Sequence, residues 1–237
     1  MSTRPTHAMI LAAGLGLRMR PITEYTPKPL VSVGGRTMLD RALDHLAKAE
    51  VGKLVINTHW LAERIHGRYA DRADITFSHE EELLETGGGV AKALPLLGSD
   101  PFYVVNSDII WTDGATPALA RLAEAWDESR MDALLLLART ATAMGYEGQG
   151  DFFLDAAGVP RRRKPREVAP LLFAGVQILS PRLFDGAPSG KFSLNVLYDR
   201  ALEAGRLFGI VHEGRWFHVG TPDALPEVEA ALRDVDG

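Results

Sequence analysis

Short apolar segments alternate with amphipathic ones through the first 140 residues, and this alternation limits the fold more than any other feature. Residues 8–13 are continuously apolar, as expected for a strand buried on both faces. Further strands are predicted at 53–58, 74–78, 101–108 and 133–138, and helices at 39–49, 60–69, 89–97 and 117–126. This order predicts an α/β, Rossmann-like fold, with a mostly parallel central sheet and helices on both faces.

The pattern changes beyond about residue 140, where a segment rich in glycine and aromatic residues begins. Strands are predicted at 171–179, 207–212 and 216–219, and helices at 193–204 and 223–233. No low-complexity linker separates the two parts. We therefore predict a single domain over residues 1–237, whose second half, about 141–237, adds a small β-containing lobe to the first, about 1–140.

Composition and charge exclude several classes of protein. The net charge of −5 argues against nucleic-acid binding, which usually needs a basic face. The absence of cysteine excludes disulfides and thiolate chemistry. The first residues lack the apolar core of a signal peptide, and no apolar run approaches the roughly 18 residues that span a bilayer. We expect a cytoplasmic protein that binds neither nucleic acid nor membrane.

A glycine-rich loop follows the first predicted strand. Gly14 and Gly16 allow the backbone to approach a ligand closely, so that successive N–H groups can hold phosphates, and Arg18 adds positive charge. Met19 stands where both the Walker A motif and the dinucleotide fingerprint need a glycine, and the missing fingerprint glycine argues against a dehydrogenase. By itself the loop is also compatible with an unspecific tight turn.

Two further positions are suited to phosphate and metal chemistry. Pro27 and Pro29 stiffen the chain around Lys28, which suits a phosphate ligand, although a solvated surface lysine is the simpler alternative. Asp108 ends a predicted strand, where ligands of such sheets bind, and its oxygens suit Mg²⁺. A turn that closes the strand would explain Asp108 equally well. We expect residues 14–18, 58–59 and 106–108 to converge at one sheet edge.

Four short motifs follow one another along the chain. They are Leu11-Ala-Ala-Gly-x-Gly-x-Arg-Met-x-Pro21, Pro27-Lys28-Pro29-Leu30, Asn106-Ser107-Asp108 and Gly220-Thr221-Pro222. In this order they resemble the signature of the sugar-1-phosphate nucleotidyltransferases, over roughly residues 8–233. That family joins an NTP and a sugar-1-phosphate into an NDP-sugar, releases pyrophosphate and uses Mg²⁺ or Mn²⁺. Residues 85–89 are most similar to the branch that uses UTP and N-acetylmuramate α-1-phosphate in bacterial cell-wall recycling.

The resemblance implies a role for individual residues. Arg18 and Lys28 would be catalytic, through the charge that they place against the phosphates. The first half would bind the nucleotide through Leu11, Ala12, Ala13, Gly14, Gly16, Arg18, Glu85, Gly88 and Asn106. The second half would bind the sugar through Gly150, Asp151, Lys164 and Gly175. Asp108 and His218 would be the metal ligands.

Two departures from the family pattern leave alternatives open. His218 replaces a metal-binding aspartate: it could bind a softer ion, it could hydrogen-bond a metal-bound water or phosphate, or the protein could be a weakened, nucleotide-binding regulator. Asp113 and Asp223 could compensate. Arg163 reverses the charge of a sugar-binding glutamate, so residues 161–164 are either a solvated basic loop or a partner for an acidic sugar. Mannose-1-phosphate with GTP, or glucose-1-phosphate with dTTP or UTP, remain alternative substrates.

Overall fold

The computed structural model describes residues 4–236, with side chains to Arg233; residues 1–3 and 237, at the ends of the predicted domain, lie outside it. The strands are β1 His7–Leu11, β2 Ser32–Val33, β3 Arg36–Thr37, β4 Lys53–Thr58, β5 Ile75–His79, β6 Phe102–Asn106, β7 Ile109–Trp111, β8 Ala133–Arg139, β9 Phe152–Leu154, β10 Pro160–Arg162, β11 Leu171–Leu179, β12 Leu207–Val211 and β13 Trp216–His218. The helices are α1 Met38–Lys48, α2 Ala62–Arg68, α3 Glu85–Leu97, α4 Ala118–Ala125, α5 Asn195–Glu203 and α6 Ala224–Asp236. Within residues 4–236, no helix is both long and apolar enough to cross a membrane.

A nine-stranded sheet forms the centre of the molecule. Its main order is β5-β4-β1-β6-β11-β8-β12, and β9 and β10 extend the sheet from the beginning of β11. β1 pairs in parallel with β4 and β6, and β8 pairs in parallel with β12. β11 runs antiparallel between β6 and β8. The predicted mostly parallel sheet is therefore confirmed, with β11 reversed inside it and β10 reversed at its edge.

Alternate residues of the buried strands face opposite layers of helices. Ala8 and Ile10 of β1 belong to a core cluster with residues of α1, α2 and α4. Met9, between them, belongs to a second cluster with residues of α3 and α5. A strand covered on both faces must be apolar at every position, which explains the continuous apolar run in the sequence. The prediction of helices on both faces is confirmed.

The chain differs from the prediction after β6. We predicted one strand over residues 101–108, but β6 ends at Asn106 and β7 follows in a separate two-stranded sheet with β13. The reason lies at Ser107, whose backbone N–H and hydroxyl both donate to the carbonyl of Leu11, at 3.2 and 2.6 Å. These bonds turn the chain across the end of β1. Asp108 therefore lies beside the glycine-rich loop.

Helix α3 begins at Glu85, four residues before the predicted start. Three glycines, which are poor helix formers, made its first turn hard to predict. A Cβ on Gly87 would lie 2.4 Å from the Phe192 ring, and one on Gly88 would lie 2.2 Å from the carbonyl oxygen of Gly190. The glycines thus let α3 pack directly on the segment that precedes α5.

Candidate functional site

Two adjoining cavities lie outside the carboxyl ends of β1 and β6. The first, of about 230 Å³, is lined by Leu11, Ala12, Ala13, Gly14, Lys28, Pro29, Asn57, Leu83, Glu85, Thr86, Asn106, Ser107 and Asp108. The second, of about 390 Å³, is lined by Gly14, Gly16, Leu17, Arg18, Met19, Lys28, Asp108 and Gly220. Both cavities share Gly14, Lys28 and Asp108. A ligand that fills both cavities would therefore lie against Gly14, Lys28 and Asp108.

The glycine-rich loop forms one wall of this junction. Gly16 has φ +62°, and a Cβ there would lie 2.9 Å from Cγ2 of the buried Thr23. Its carbonyl accepts hydrogen bonds from the Met19 N–H and the Thr23 hydroxyl, at 2.9 and 2.8 Å. By contrast, a Cβ on Gly14 would have no neighbour within 4 Å. The loop is thus fixed at Gly16 and leaves open space beside Gly14.

Lys28 and Asp108 form the central ion pair. Their Nζ and Oδ2 atoms are 2.9 Å apart, and 11% of the lysine side chain and 34% of the aspartate side chain are exposed. Burial raises the pKa of Asp108, but the Lys28 ammonium and, to a smaller extent, His218 more than offset this, so the pKa lies below its usual value. Asp108 is therefore a carboxylate at neutral pH. The junction offers a cation for phosphate and an anion for metal.

His218 ends β13, where it pairs with Ile109, the residue after Asp108, and it lines neither of the two cavities. Its Nδ1 is 3.2 Å from the carbonyl oxygen of Gly145, which can only accept a hydrogen bond. Burial lowers the pKa of His218; Asp108 raises it and Lys28 lowers it again, and the net pKa is below 6.5. A neutral ring that donates from Nδ1 keeps a lone pair on Nε2, as metal-binding histidines do.

Asp113 and Asp223 were the carboxylates expected to compensate for His218 as a metal ligand, and their surroundings differ. Asp113 lies at the end of β7, where its Oδ2 is 3.3 Å from His45 Nδ1 and its Oδ1 accepts the Ala118 N–H. Its proposed compensation was wrong, because that carboxylate caps α4 and pairs with α1. Asp223 is exposed in the loop before α6. No group of three or more histidine, aspartate or glutamate side chains suited to a metal occurs within the described residues.

Comparisons with known proteins agree with this geometry. The family model "Nucleotidyl transferase" matches residues 7–148. The N-acetylmuramate alpha-1-phosphate uridylyltransferase of Caulobacter vibrioides is 43% identical, over 99% of this chain and all of that protein. The protein of the same name from Neisseria meningitidis serogroup B is 38% identical, over 94% of this chain and 96% of its own length. This chain belongs to the nucleotidyltransferase family. The fold agrees as well: the inositol-1-phosphate CTP transferase of T. maritima superposes with a TM-score of 0.78 at 15% identity, covering 99% of this chain and 98% of its own.

Membership of the nucleotidyltransferase family confirms the resemblance predicted from the four motifs and identifies the chain as an enzyme. The structure brings most of the predicted nucleotide-binding residues to the two cavities. Leu11, Ala12, Ala13, Glu85 and Asn106 line the first, Gly16 and Arg18 line the second, and Gly14 lines both. Gly88 lines neither cavity, because it is packed against Gly190.

The predicted sugar-binding residues lie on three segments: the loop before β9, the segment after β10, and β11. Gly175 has φ +77° at a bulge of β11, and a Cβ there would lie 3.1 Å from Asn106 of the first cavity. Asp151 lies in the loop before β9, and its Oδ2 accepts the N–H of Phe173 in β11 at 2.8 Å. Gly150 has φ +71°, and the Lys164 side chain is exposed. Gly150, Asp151 and Lys164 line neither of the two cavities.

Sequence reasoning missed a buried network behind the first cavity. Asn57 Oδ1 accepts the Ala12 N–H and Asn57 Nδ2 donates to Glu80 Oε1, both at 2.7 Å. Glu80, 1% exposed, accepts the Leu84 N–H through its other oxygen at 2.9 Å. The network thus joins the loop after β1 to the start of α3. We expected Thr58 and His59 at the site, but Thr58 is buried against His66, and Asn57 takes the place instead.

Replacing Glu80 by glutamine should weaken nucleotide binding. An amide can accept through only one of its two atoms, so either Asn57 or Leu84 would lose its acceptor. A buried donor left without a partner costs about 1–3 kcal/mol. We expect the KM for the nucleotide to rise about tenfold and the melting temperature to fall. Glu81→Gln makes the same change of charge at an exposed neighbouring residue and is the control. A Glu80→Gln enzyme with the same KM and melting temperature as Glu81→Gln would contradict the proposed role of Glu80.

Proposed function

We propose that this enzyme transfers a uridylyl group from UTP to N-acetylmuramate α-1-phosphate, giving UDP-N-acetylmuramate and pyrophosphate. The observation that carries the proposal is the similarity, over the whole chain, to two uridylyltransferases that bear this name. The paired cavities that meet at Lys28 and Asp108 are consistent with it. We further propose the cytoplasm as the compartment and cell-wall recycling as the process.

The reaction makes one bond at the α-phosphorus of UTP and breaks another. An oxygen of the sugar phosphate attacks that phosphorus, and the bond to the bridging oxygen breaks on the opposite side as pyrophosphate leaves. Such a transfer depends on positioning and on neutralising charge. Gly14, Gly16 and Arg18 in the second cavity would hold the β- and γ-phosphates. Lys28, at the junction, would contact the α-phosphate.

The first cavity would hold the nucleoside. Ala12 and Ala13 have small side chains that leave room for a planar base, and Glu85 and Asn106 offer polar groups at its edge. Gly88 would act indirectly, since its close packing fixes the beginning of α3 beside Glu85. The residues beyond about 140 would mainly bind the sugar, although His218 and Gly220 return to the phosphate side.

Mg²⁺ or Mn²⁺ is the proposed cofactor, with Asp108 and His218 as its protein ligands. Asp108 is ionised, and the tautomer set by Gly145 leaves His218 Nε2 free to ligate. Mg²⁺ typically takes one or two protein ligands and fills its shell with water and phosphate oxygens, so two residues suffice. When bound, the ion would neutralise charge on the triphosphate. Imidazole favours Mn²⁺ over Mg²⁺.

Replacing His218 by aspartate should change the metal preference. An oxygen ligand suits Mg²⁺, so we expect the ratio of Mg²⁺- to Mn²⁺-supported kcat/KM to rise about tenfold. Direct Mn²⁺ binding, followed by electron paramagnetic resonance in the presence of UTP, should weaken in parallel. His7→Gln, at the opposite end of β1, is the control. Unchanged Mn²⁺ binding and an unchanged ratio would show that His218 does not ligate the ion.

Phosphorus NMR tests the proposed reaction. With UTP, N-acetylmuramate α-1-phosphate and MgCl₂, the signals of both substrates should decline together while those of a nucleotide diphosphosugar and pyrophosphate rise in equal amounts. Orthophosphate would instead indicate hydrolysis of UTP. An unchanged spectrum, despite measurable UTP binding, would favour a nucleotide-binding regulator that retained the fold.

A further inference from the structure

Four consecutive cationic residues follow the start of β10, and the structure separates them into two kinds. Arg161 Nη1 is 2.9 Å from Glu167 Oε2, and its guanidinium also lies 4.1 Å from the centre of the Phe153 ring. Arg162 pairs with Asp199 and donates to Asn195 Oδ1 at 2.9 Å. Both charges are thus neutralised by the protein. These two arginines hold β10 in place.

Within the described part of the chain, Arg163 and Lys164 form no such side-chain pairs, although the Lys164 N–H donates to Glu167 Oε2 at 2.7 Å. Neither forms an ion pair with any side chain among residues 4–233. The Arg163 guanidinium makes one long contact, 3.5 Å from Gln149 Oε1, and its side chain is exposed. The backbone of Arg163 is nevertheless fixed, because its N–H donates to the carbonyl of Asp151 at 2.9 Å. A guanidinium on a fixed backbone is available to an external anion.

Ring contacts lead from His218 to the loop before β9. His218, beside Asp108, stacks on Trp216 with ring centres 6.2 Å apart, and Trp216 meets the edge of Tyr146 at 6.2 Å. Tyr146 is linked to Arg163 through the loop before β9, because its hydroxyl accepts the Gly150 N–H at 3.2 Å and the carbonyl of the next residue, Asp151, accepts the Arg163 N–H at 2.9 Å. Trp216 is buried in the core and Tyr146 is half-buried, so these rings join the end of β13 to the loop that positions Arg163.

Gly145 and Gly150 allow close backbone contacts on either side of Tyr146. A Cβ on Gly145 would lie 2.2 Å from the carbonyl oxygen of His218, and one on Gly150 would lie 2.3 Å from that of Ala169. The Gly150 N–H donates to the Tyr146 hydroxyl at 3.2 Å. Tyr146 is thus held on two sides: its neighbour Gly145 packs on β13, and its hydroxyl accepts a hydrogen bond from the loop that carries Gln149 and Asp151. Arg163 is positioned by this loop.

We infer that Arg163 binds the lactyl carboxylate of the acceptor sugar and so selects N-acetylmuramate α-1-phosphate over N-acetylglucosamine α-1-phosphate. The inference rests on the proposed function. The two sugars differ only in the lactyl ether, which carries the negative charge. A guanidinium presents two parallel donors that match a carboxylate, whereas Lys164 offers a point charge better suited to the sugar phosphate. Asp151 forms no ion pair with Arg163 among the described side chains, and its Oδ2 accepts the Phe173 N–H instead.

The test compares the two acceptors with UTP in the wild type, Arg163→Ala, Arg163→Lys and the control Arg64→Ala. Arg64 is an exposed cation on α2, so its removal makes the same change in net charge. We expect Arg163→Ala to lower the ratio of kcat/KM for muramate to that for glucosamine by about 10- to 100-fold. Lysine should restore only part of the ratio, and Arg64→Ala should leave it unchanged. Melting temperatures establish that each variant is folded.

The outcomes separate the two proposals. A wild type that prefers the muramate substrate, with the preference intact in Arg163→Ala, would overturn the assignment of Arg163 and leave the proposed function standing. Equal losses for both acceptors would also overturn it, since they would show a general positioning role. A wild type that uses other acceptors and not N-acetylmuramate α-1-phosphate would overturn the proposed function, and the assignment of Arg163 with it.

Discussion

The Asp108→Asn enzyme is expected to lose activity by about 1,000-fold while it still binds UTP. The substitution keeps the shape of the side chain and removes the charge that would hold the divalent ion. It also removes the partner of Lys28, which lies 2.9 Å away. Without metal, UTP should bind as tightly as to the wild type or more tightly, because a negative charge beside the phosphates is lost.

Asp113→Asn is the matched control for this experiment. Burial raises the pKa of Asp113, but His45 and the Ala118 N–H lower it more, so Asp113, like Asp108, has a net pKa below the usual value. Asp113 lines neither active-site cavity. Its loss should reduce stability and leave kcat within a few fold of the wild type. An Asp108→Asn enzyme with more than about a tenth of the wild-type kcat would contradict the assigned metal role.

Gly88→Ala is expected to cause the largest loss of stability among the substitutions considered, about 3 kcal/mol in the free energy of unfolding. The new Cβ would lie 2.2 Å from the carbonyl oxygen of Gly190, and backbone cannot move aside as a side chain can. Relief of this clash requires α3 to shift. Such a shift would carry Glu85 and Thr86, which line the first cavity, so the KM for UTP should rise as well.

Gly67→Ala makes the same chemical change in another helix, α2. A Cβ at Gly67 would meet nothing within 4 Å, and alanine is the better helix former. This control should gain about 0.5–1 kcal/mol. Urea denaturation measures both variants on one scale. Equal stabilities of Gly88→Ala and the wild type would show that α3 does not need this close approach.

Sequence reasoning predicted best where a function is carried by consecutive residues. The loop from Gly14 to Arg18 follows directly on an apolar strand, so its place at the sheet edge was predictable from the strand alone. Asp108 was predicted as a strand end; β6 ends two residues earlier, at Asn106, and Asp108 still lies at the sheet edge. Both lie at the junction of the two cavities or beside it.

Contacts between distant segments were not predictable from the sequence. Asn57 reaches Ala12 because β1 and β4 pair in one register, and Glu80 joins them through a loop that no pattern specifies. Gly88 was predicted to bind the nucleotide, but it packs on a segment about 100 residues later in the chain. The cationic run at 161–164 gave no sign of which members find acidic partners. Only the fold places Glu167 and Asp199 beside two of them.

The most direct test of the proposed function is the initial rate of pyrophosphate release, measured for UTP, CTP, GTP and dTTP against a panel of sugar-1-phosphates. We predict the highest kcat/KM for UTP with N-acetylmuramate α-1-phosphate, with either Mg²⁺ or Mn²⁺. A higher value for another pair, such as GTP with mannose-1-phosphate, would contradict the proposed substrates. No release with any pair, despite UTP binding, would contradict the proposed transfer itself.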